Sequence, residues 1–334
     1  MNSYEVTTAA IEFKYPNHIP VIADMLKPDF NGDVVAVYAN KPPQTAENVD
    51  QWGCVWEHTD VENMGMVKEI LIKRVEDIAN FKDPDPSDEK RYEMLAPILN
   101  RAKSLNKYVV YNGVINDNSA LFDRMHWLHG FEQTLMDIIA DVEFMDMLAN
   151  VVITYHLRQI DYVSKKFGSL IHGYRMSDDW GTQHKLLISP KTWNQFIAPR
   201  YKVIFDRIHE AKWHVWLHSC GHINEILLPL RNVGLNVVNI QSPHQVGIEE
   251  AGHLLRNNLC VETWCDIQRT LNTGTARQIE DEVSRIFNYW STKNGGLVFR
   301  LINETQAHQA GIPVEATRVM ADAINRISNN TNRE

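Results

Sequence analysis

The sequence predicts an α/β protein built as a single (β/α)8 barrel. Short runs rich in β-branched and aromatic residues alternate with longer stretches of helical periodicity, and about eight such runs can be counted. The main alternative is a doubly wound open sheet, but the glycine-rich first turn typical of that fold is missing. A barrel can occupy all 334 residues as one domain. We therefore expect one domain over 1–334, with an N-terminal extension at about 1–30.

Seven runs are predicted as strands, and an eighth is a weaker case. The seven lie at 34–38, 108–112, 169–174, 214–218, 236–240, 259–264 and 297–302, and the weaker one at 66–72. Helical periodicity predicts helices at 89–105, 191–211, 223–233, 248–256, 276–290 and 314–327. Strands that alternate with helices indicate βαβ units and a parallel sheet.

Composition excludes several classes of function. The net charge of -9 argues against nucleic acid or an anionic membrane as the main partner. Residues 1–14 lack the pattern of a secretory signal, and no apolar run approaches the ~20 residues that span a bilayer. Four cysteines are too few for a disulfide framework in a chain of this length. We therefore expect a reduced, cytoplasmic protein that acts on a small molecule.

Polar residues follow four of the predicted strands at the point where each strand ends. They include Asp178, Asp179, Trp180 and Gln183 after the first, Cys220 and His222 after the second, Asp266 and Gln268 after the third, and Glu304 and His308 after the fourth. The active sites of (β/α)8 barrels lie at the carboxyl ends of the strands. We expect these four loops to meet at one rim of the barrel and to form the site.

His218 and Cys220 form the sharpest local pattern. Residues i and i+2 of a strand point the same way, and nitrogen plus thiolate is a ligand pair that zinc accepts. The alternative is a hydrogen-bonded histidine beside a buried thiol. Strand parity turns Cys265 towards the helices and places Cys260 at the wrong end of its strand. His222, Glu304 and His308 remain candidates for a third ligand.

Asp178 and Asp179 are adjacent, so only one of them can face the barrel axis in an extended segment. A buried aspartate beside Trp180 would have a raised pKa and would donate a proton or anchor the substrate. The alternative is that one aspartate caps a helix and the other is solvated. We predict Asp178, Asp179 and His218 as the catalytic candidates.

Arg300 lies inside an apolar strand, where a buried charge needs a partner. Glu262 on the preceding strand is the natural partner, and the sequence predicts that the two side chains contact each other. A structural ion pair is favoured over a clamp for a substrate carboxylate.

These segments together resemble the uroporphyrinogen decarboxylase superfamily. The motifs that carry the resemblance are HIPV at 18–21, DQWGCVW at 50–56, DPDP at 83–86, GFE at 130–132, SDDWGTQ at 177–183, LISP at 187–190, APRY at 198–201, HSCG at 218–221, CDIQ at 265–268, and GT at 274–275 before EDEV at 280–283. The likeness runs from about residue 15 to 330 and depends on the order and spacing of these motifs. It implies a uroporphyrinogen decarboxylase-like (β/α)8, or TIM, barrel.

Within the superfamily, the chain looks more like the methyltransferases that move methyl groups between corrinoids and thiols or other acceptors. The N-terminal arginine-rich motif of the true decarboxylases is missing. The resemblance implies a corrinoid (cobalamin) carried by a separate partner protein, and zinc held by His218, Cys220 and a cysteine after the last strand. No cysteine follows Val298, so we expect weak or absent zinc binding.

The residues expected to contact the small-molecule substrate are Trp180, Gln183, Asp266, Gln268, Arg300 and His308. Two other functions remain open: a cofactor-free decarboxylase-type lyase, in which Arg300 or His308 binds a carboxylate, and a non-catalytic partner that binds a corrinoid or tetrapyrrole. Bound zinc would favour the methyltransferase, clustered cations without metal would favour the lyase, and a wide, apolar, acid-poor mouth would favour the binding partner.

Overall fold

A computed structural model describes residues 1–23, 31–40, 48–58, 65–114 and 119–331. Its strands, in chain order, are β1 Val21–Ile22, β2 Val34–Ala39, β3 Trp56–His58, β4 Gly65–Val67, β5 Tyr108–Val114, β6 Gly173–Ser177, β7 His214–His218, β8 Val237–Ile240, β9 Cys260–Thr263 and β10 Leu297–Arg300. Eight of them form a closed parallel barrel in the order β1-β10-β9-β8-β7-β6-β5-β2. β3 and β4 form a separate antiparallel pair.

Helices follow most of the barrel strands and cover the outside of the sheet. In chain order they are α1 Ser3–Ile11, α2 Val75–Asn80, α3 Leu95–Ser104, α4 Phe122–His129, α5 Phe131–Ala140, α6 Val142–Phe167, α7 Pro190–Thr192, α8 Ala198–Glu210, α9 Asn224–Asn232, α10 Pro243–Val246, α11 Ile248–Leu255, α12 Thr270–Thr273, α13 Ala276–Trp290, α14 Glu304–Gln309 and α15 Val314–Thr331. Short 3-10 segments occur at Glu89–Tyr92 and Gly168–Leu170, and a π-helical segment at Trp193–Ile197 leads into α8. Among the described residues, no helix combines the length and apolar character needed to cross a membrane.

The predicted (β/α)8 barrel is confirmed, with two differences in its strands. The run at 66–72 contributes only to the β3–β4 pair, and the eighth barrel strand is β1, which is two residues long and follows Pro20. A two-residue strand leaves too short a pattern to be recognised in the sequence. β6 begins at Gly173 rather than at 169, because residues 168–170 form a 3-10 turn.

Part of the barrel interior is filled by a buried cluster that includes Trp216, Val110, Val237, Cys260 and Val298. Gly173 on the neighbouring strand makes room for the Trp216 ring, because a Cβ on Gly173 would lie 2.6 Å from the indole nitrogen of Trp216. Helix α1 covers the amino-terminal end of the barrel, where the N–H of Gly296 donates to the carbonyl of Ala10 at 2.8 Å. In the described part of the chain, α1 therefore closes this end of the barrel, and the opposite end carries the loops that follow the strands.

Candidate functional site

The carboxyl ends of β6 to β9 meet at one level of the rim. In the register of the sheet, Ser177 pairs with His218, His218 with Asn239, and Asn239 with Glu262. Register partners on parallel strands point to the same side of the sheet, here into the barrel. The predicted loops follow β6, β7, β9 and β10, which all run parallel in the closed barrel, so the prediction that they share one rim is confirmed.

His218, Cys220 and Asp179 bring three different ligand atoms together at this rim. The Nε2 atom of His218 lies 3.2 Å from the Sγ atom of Cys220 and 3.6 Å from a carboxylate oxygen of Asp179. The three ligand atoms all lie within 4.8 Å of one another. The prediction that both side chains of the His218–Cys220 pair enter the mouth beside an aspartate is confirmed. Nitrogen, sulfur and carboxylate oxygen form a set that zinc accepts from three protein ligands.

The orientation of the His218 ring is set by Asn239. The side-chain nitrogen of Asn239 donates to the carbonyl of Glu262 at 3.1 Å, so its oxygen is left to accept the Nδ1–H of His218 at 2.7 Å. Burial lowers the pKa of His218, while the carboxylate of Asp179 raises it. A neutral ring with its proton on Nδ1 directs the Nε2 lone pair towards Cys220 and Asp179, as a metal ligand requires.

The electrostatics of this cluster favour a cation. Burial and the neighbouring Asp179 raise the pKa of the Cys220 thiol, so the thiol is protonated when no cation is near. Burial and repulsion by Asp179 also raise the pKa of Asp123, whose carboxylate lies 3.4 Å from the backbone nitrogen of Asp179. A divalent cation would offset the repulsion between these acidic groups and would lower the pKa of the thiol.

Two glycines hold the loops after β6 and β7 against each other. The N–H of Gly181 donates to the carbonyl of Cys220 at 3.0 Å, and a Cβ on Gly221 would lie 2.2 Å from the carbonyl carbon of Gly181. The N–H of Cys220 in turn donates to the carboxylate of Asp179 at 2.8 Å. Direct backbone contact between the loops therefore fixes Asp179 relative to Cys220.

Asp178 lies in the position that the alternative interpretation described, where one of the two adjacent aspartates caps a helix. Its fully buried carboxylate accepts the backbone N–H groups of residues 121 and 122 at 2.9 Å and of Asp123 at 2.8 Å, and the hydroxyl of Tyr201 at 2.5 Å. Burial and Asp123 raise its pKa to about 7, whereas the hydrogen bonds from Tyr201 and the backbone lower it. With four donors around it, the group caps the start of α4 and does not reach the mouth.

Trp180 also lies away from the position expected of a substrate-binding residue. The side chain has no exposed surface, its indole N–H donates to the hydroxyl of Tyr201 at 2.8 Å, and its ring packs 4.5 Å from that of Phe122. Trp180 is therefore part of the core between the sheet and the helices. The parity predictions for the thiols are confirmed, because Cys265 lies on the helix side and Cys260 is in the cluster around Trp216.

The predicted contact between Glu262 and Arg300 is confirmed, and Arg175 joins it. The Nε atom of Arg300 donates to Glu262 at 2.6 Å, and the guanidinium of Arg175 pairs with the other carboxylate oxygen. Burial lowers the pKa of both arginines. Sequence reasoning placed Arg175 in a loop because it ended β6 at 174. The sequence did hold a sign of this position. Arg175 lies two residues after Gly173 on the same strand, so its side chain points into the barrel as an extension of β6 would predict.

Three predicted substrate contacts, Gln183, Asp266 and Gln268, line one polar cavity of about 240 Å³ at the rim. One carboxylate oxygen of Asp266 accepts the backbone N–H groups of residues 268 and 269, so it also shapes its own loop. His222 lines this cavity and bonds to the carbonyl of Gln245 at 3.0 Å. Glu304 and His308 are exposed on α14. Among the described residues, these three candidate third ligands are not in the cluster that could hold a metal.

Comparison with solved structures finds a similar fold over essentially the whole chain. The similar structure is a methyltransferase from Methanosarcina mazei, with a TM-score of 0.69 and 11% sequence identity over 98% of this chain and 99% of that one. A GH113 β-1,4-mannanase gives 0.41 at 11% identity over 97% and 92%, and a D-psicose 3-epimerase 0.40 at 13% identity over 72% and 84%. At 11% identity, the similarity to the methyltransferase shows the fold alone.

The sequence itself gives a more specific result. A search of curated protein sequences finds no significant match. The family model for uroporphyrinogen decarboxylase (URO-D) matches residues 53–327, which include every residue of the rim described above. The chain therefore belongs to the uroporphyrinogen decarboxylase family.

Proposed function

We propose that this protein is a methyltransferase that moves a methyl group to or from a corrinoid carried by a separate protein, with a small-molecule donor or acceptor at the barrel mouth. The observation that carries the proposal is the cluster of Asp179, His218 and Cys220 at the rim. The full-length similarity in fold to a methyltransferase supports it.

The cluster fits a zinc ion in its choice of atoms. His218 offers a neutral nitrogen whose proton is held on the far side by Asn239, and Asp179 offers a carboxylate oxygen in the place of the late cysteine that the family resemblance implied. When bound, zinc lowers the pKa of an acceptor thiol and maintains it as a nucleophilic thiolate. Because a carboxylate replaces a thiolate, we expect weaker zinc binding than in a site with two cysteines.

The protein's own groups would then position the small molecule. Asp123 and Asp179 adjoin the cluster, and Arg175 and Arg300 are close enough for their charges to lower the pKa of His218. The acidic groups would hold the metal, and the guanidinium groups of Arg175 and Arg300 would meet the polar part of the small molecule. The methyl group would be exchanged at the open face of the mouth, where a partner protein can approach.

One observation favours a second candidate, a cofactor-free decarboxylase-type lyase. Arg175 and Arg300 are both buried and share the carboxylate of Glu262. Guanidinium groups bind carboxylates with bidentate geometry, so a substrate carboxylate that reached Arg175 and Arg300 would find suitable donors. The acidic groups at the described part of the mouth disfavour the third alternative, a non-catalytic receptor with an acid-poor mouth.

The deciding experiment compares metal content and methyl transfer in three proteins purified without chelator: the wild type, Cys220→Ser and Cys265→Ser. Cys265 is the matched control because its thiol lies on the helix side of the sheet. We expect zinc in the wild type and the control, with loss of most zinc from Cys220→Ser, because a neutral hydroxyl is a poor zinc ligand. Demethylation of methylcobalamin by a small thiol, followed by its visible spectrum, should be lost with the metal.

A wild-type protein without zinc and without methyl transfer would contradict the proposal. Release of carbon dioxide from a carboxylated substrate by that metal-free protein, abolished by Arg300→Met, would establish the lyase instead.

A further inference from the structure

A second cavity lies at the amino-terminal end of the barrel, opposite the mouth. Its volume is about 540 Å³, and its walls include Tyr4 of α1, Lys107 before β5, His172 before β6, and Lys212 and Trp213 before β7. Because these residues precede their strands, the cavity is separated from the mouth by the filled interior around Trp216. Its volume is within the range of sites for small molecules.

The charged side chains that line this cavity are all positive. Lys103, Lys107 and Lys212 line it, and none of the lining residues is an aspartate or glutamate. The whole chain carries a net charge of -9, so this concentration of cations runs against the overall composition. A cavity with only positive charges on its wall attracts an anion.

The remaining walls are aromatic and apolar. The ring of Tyr4 lies 4.6 Å from that of His172, and Trp213 and Leu170 complete the wall. The backbone N–H of Val109 donates to Nδ1 of His172 at 2.9 Å, so the ring proton is on Nε2. Burial lowers the pKa of His172 to about 4, which leaves the ring neutral at neutral pH. These surfaces suit a flat, apolar body rather than a hydrated inorganic ion.

Lys212 occupies a backbone position where a lysine is unusual. Its φ of +65° lies in the left-handed region, just after α8. At the equivalent places before β5, β8 and β9 the chain has Asn106, Gly234 and Asn257, which are residues that tolerate a positive φ. Local backbone geometry thus favours Gly or Asn at position 212. The charge that the lysine side chain adds to the cavity is a reason for a lysine at this position.

We propose that this cavity binds a small aromatic molecule that carries a phosphate or another anionic group. Its ring would pack against Tyr4 and Leu170, and its anion would meet Lys103, Lys107 and Lys212. An acidic segment of a protein partner fits less well, because the adjoining cavity beyond Lys212 contains Glu12, whose carboxylate would repel a longer anionic chain.

Titration calorimetry of the full chain with 1-naphthyl phosphate tests the proposal, with 1-naphthol and inorganic phosphate as probes that each lack one half of the ligand. We expect saturable binding of one naphthyl phosphate per chain, and binding of either partial probe that is weaker by about tenfold or more. Cys220→Ser should bind the probe as the wild type does, because the cavity is at the other end of the barrel.

The variant Lys212→Gly separates a binding role from a structural one. Glycine removes the ammonium group and suits the positive φ, so the melting temperature should be unchanged or higher while affinity for the probe falls by about tenfold. Lys103→Gln should weaken binding similarly, and Lys202→Gln on the exposed surface of α8 should not. No saturable binding to the wild type, or equal affinity in Lys212→Gly, would overturn the proposal. So would sedimentation showing a dimer in which a second copy covers the cavity and excludes the probe.

Discussion

The Nδ1 atom of His218 lies 2.7 Å from the side-chain oxygen of Asn239 on the neighbouring strand. Asn239 is itself oriented by its hydrogen bond to the backbone of β9. Three consecutive strands therefore determine which nitrogen of the candidate ligand is free. The tautomer of His218 is thus set by residues of the sheet and not by the loops that follow the strands.

Asn239→Ala should weaken zinc binding by about 10–100-fold, because the Nδ1–H of His218 loses its acceptor and the ring loses its fixed tautomer. Competition with a chromophoric chelator measures the affinity. Asn239→Asp retains an acceptor for Nδ1–H but loses the N–H that donates to the carbonyl of Glu262, so its zinc affinity should lie between those of the wild type and Asn239→Ala. Equal affinities in all three proteins would show that the contact does not orient the ligand.

The two adjacent aspartates should give opposite phenotypes. Asp178→Asn replaces a carboxylate surrounded by four donors, so the free energy of unfolding should fall by about 2–4 kcal/mol. Asp179→Asn alters a half-exposed side chain at the mouth and should reduce metal content with little change in stability. Urea unfolding and metal analysis of both variants separate the two roles. A stable, inactive Asp178→Asn protein would return that residue to the catalytic candidates.

Glu262→Gln should be strongly destabilising, by about 3–5 kcal/mol, because it removes the carboxylate that two buried guanidinium groups share. Arg300→Met should cost less, since Glu262 then still pairs with Arg175. Chemical denaturation of the two variants gives the order. If Arg300→Met proved the more damaging of the pair, the arginine rather than the glutamate would be the centre of the network.

Buried His156 should make the fold sensitive to acid. Burial lowers its pKa to about 4, against an ordinary value of about 6.5, so between these values the unfolded chain binds a proton that the native protein excludes. Stability should consequently fall as the pH drops through this window, by up to about 1.4 kcal/mol per pH unit for this group. His156→Gln should show a shallower fall in urea unfolding across the same window. An unchanged slope would mean that His156 takes up its proton without unfolding.

The sequence was sufficient to predict the barrel and half of the candidate site. Alternation of strands and helices identified the architecture, and the i, i+2 spacing placed His218 and Cys220 in the mouth. The same parity rule predicted correctly that Cys265 faces the helices. Each of these follows from local periodicity, which a single sequence displays directly.

Two features of the site could not be predicted without tertiary structure: Asp179 as the third candidate ligand, and the position of Asp178 beside α4. Once Ser177 is known to pair with His218, Asp179 and Cys220 become neighbours two residues further on. No local sequence pattern predicts that Ser177 pairs with His218. Three of the four donors around Asp178 come from residues 121–123, more than fifty positions earlier in the chain, so the segment around Asp178 does not show which helix it caps.

The contact between Gly181 and Gly221 makes the loops after β6 and β7 a single unit of variation. Neither loop has space for a side chain at the crossing, and lengthening one would push the other away from the rim. Barrels of this type acquire new substrates by exchanging loops at the mouth. In this protein the two loops that carry Asp179 and Cys220 cannot change length independently. A change of substrate would therefore require changes in the other loops of the rim.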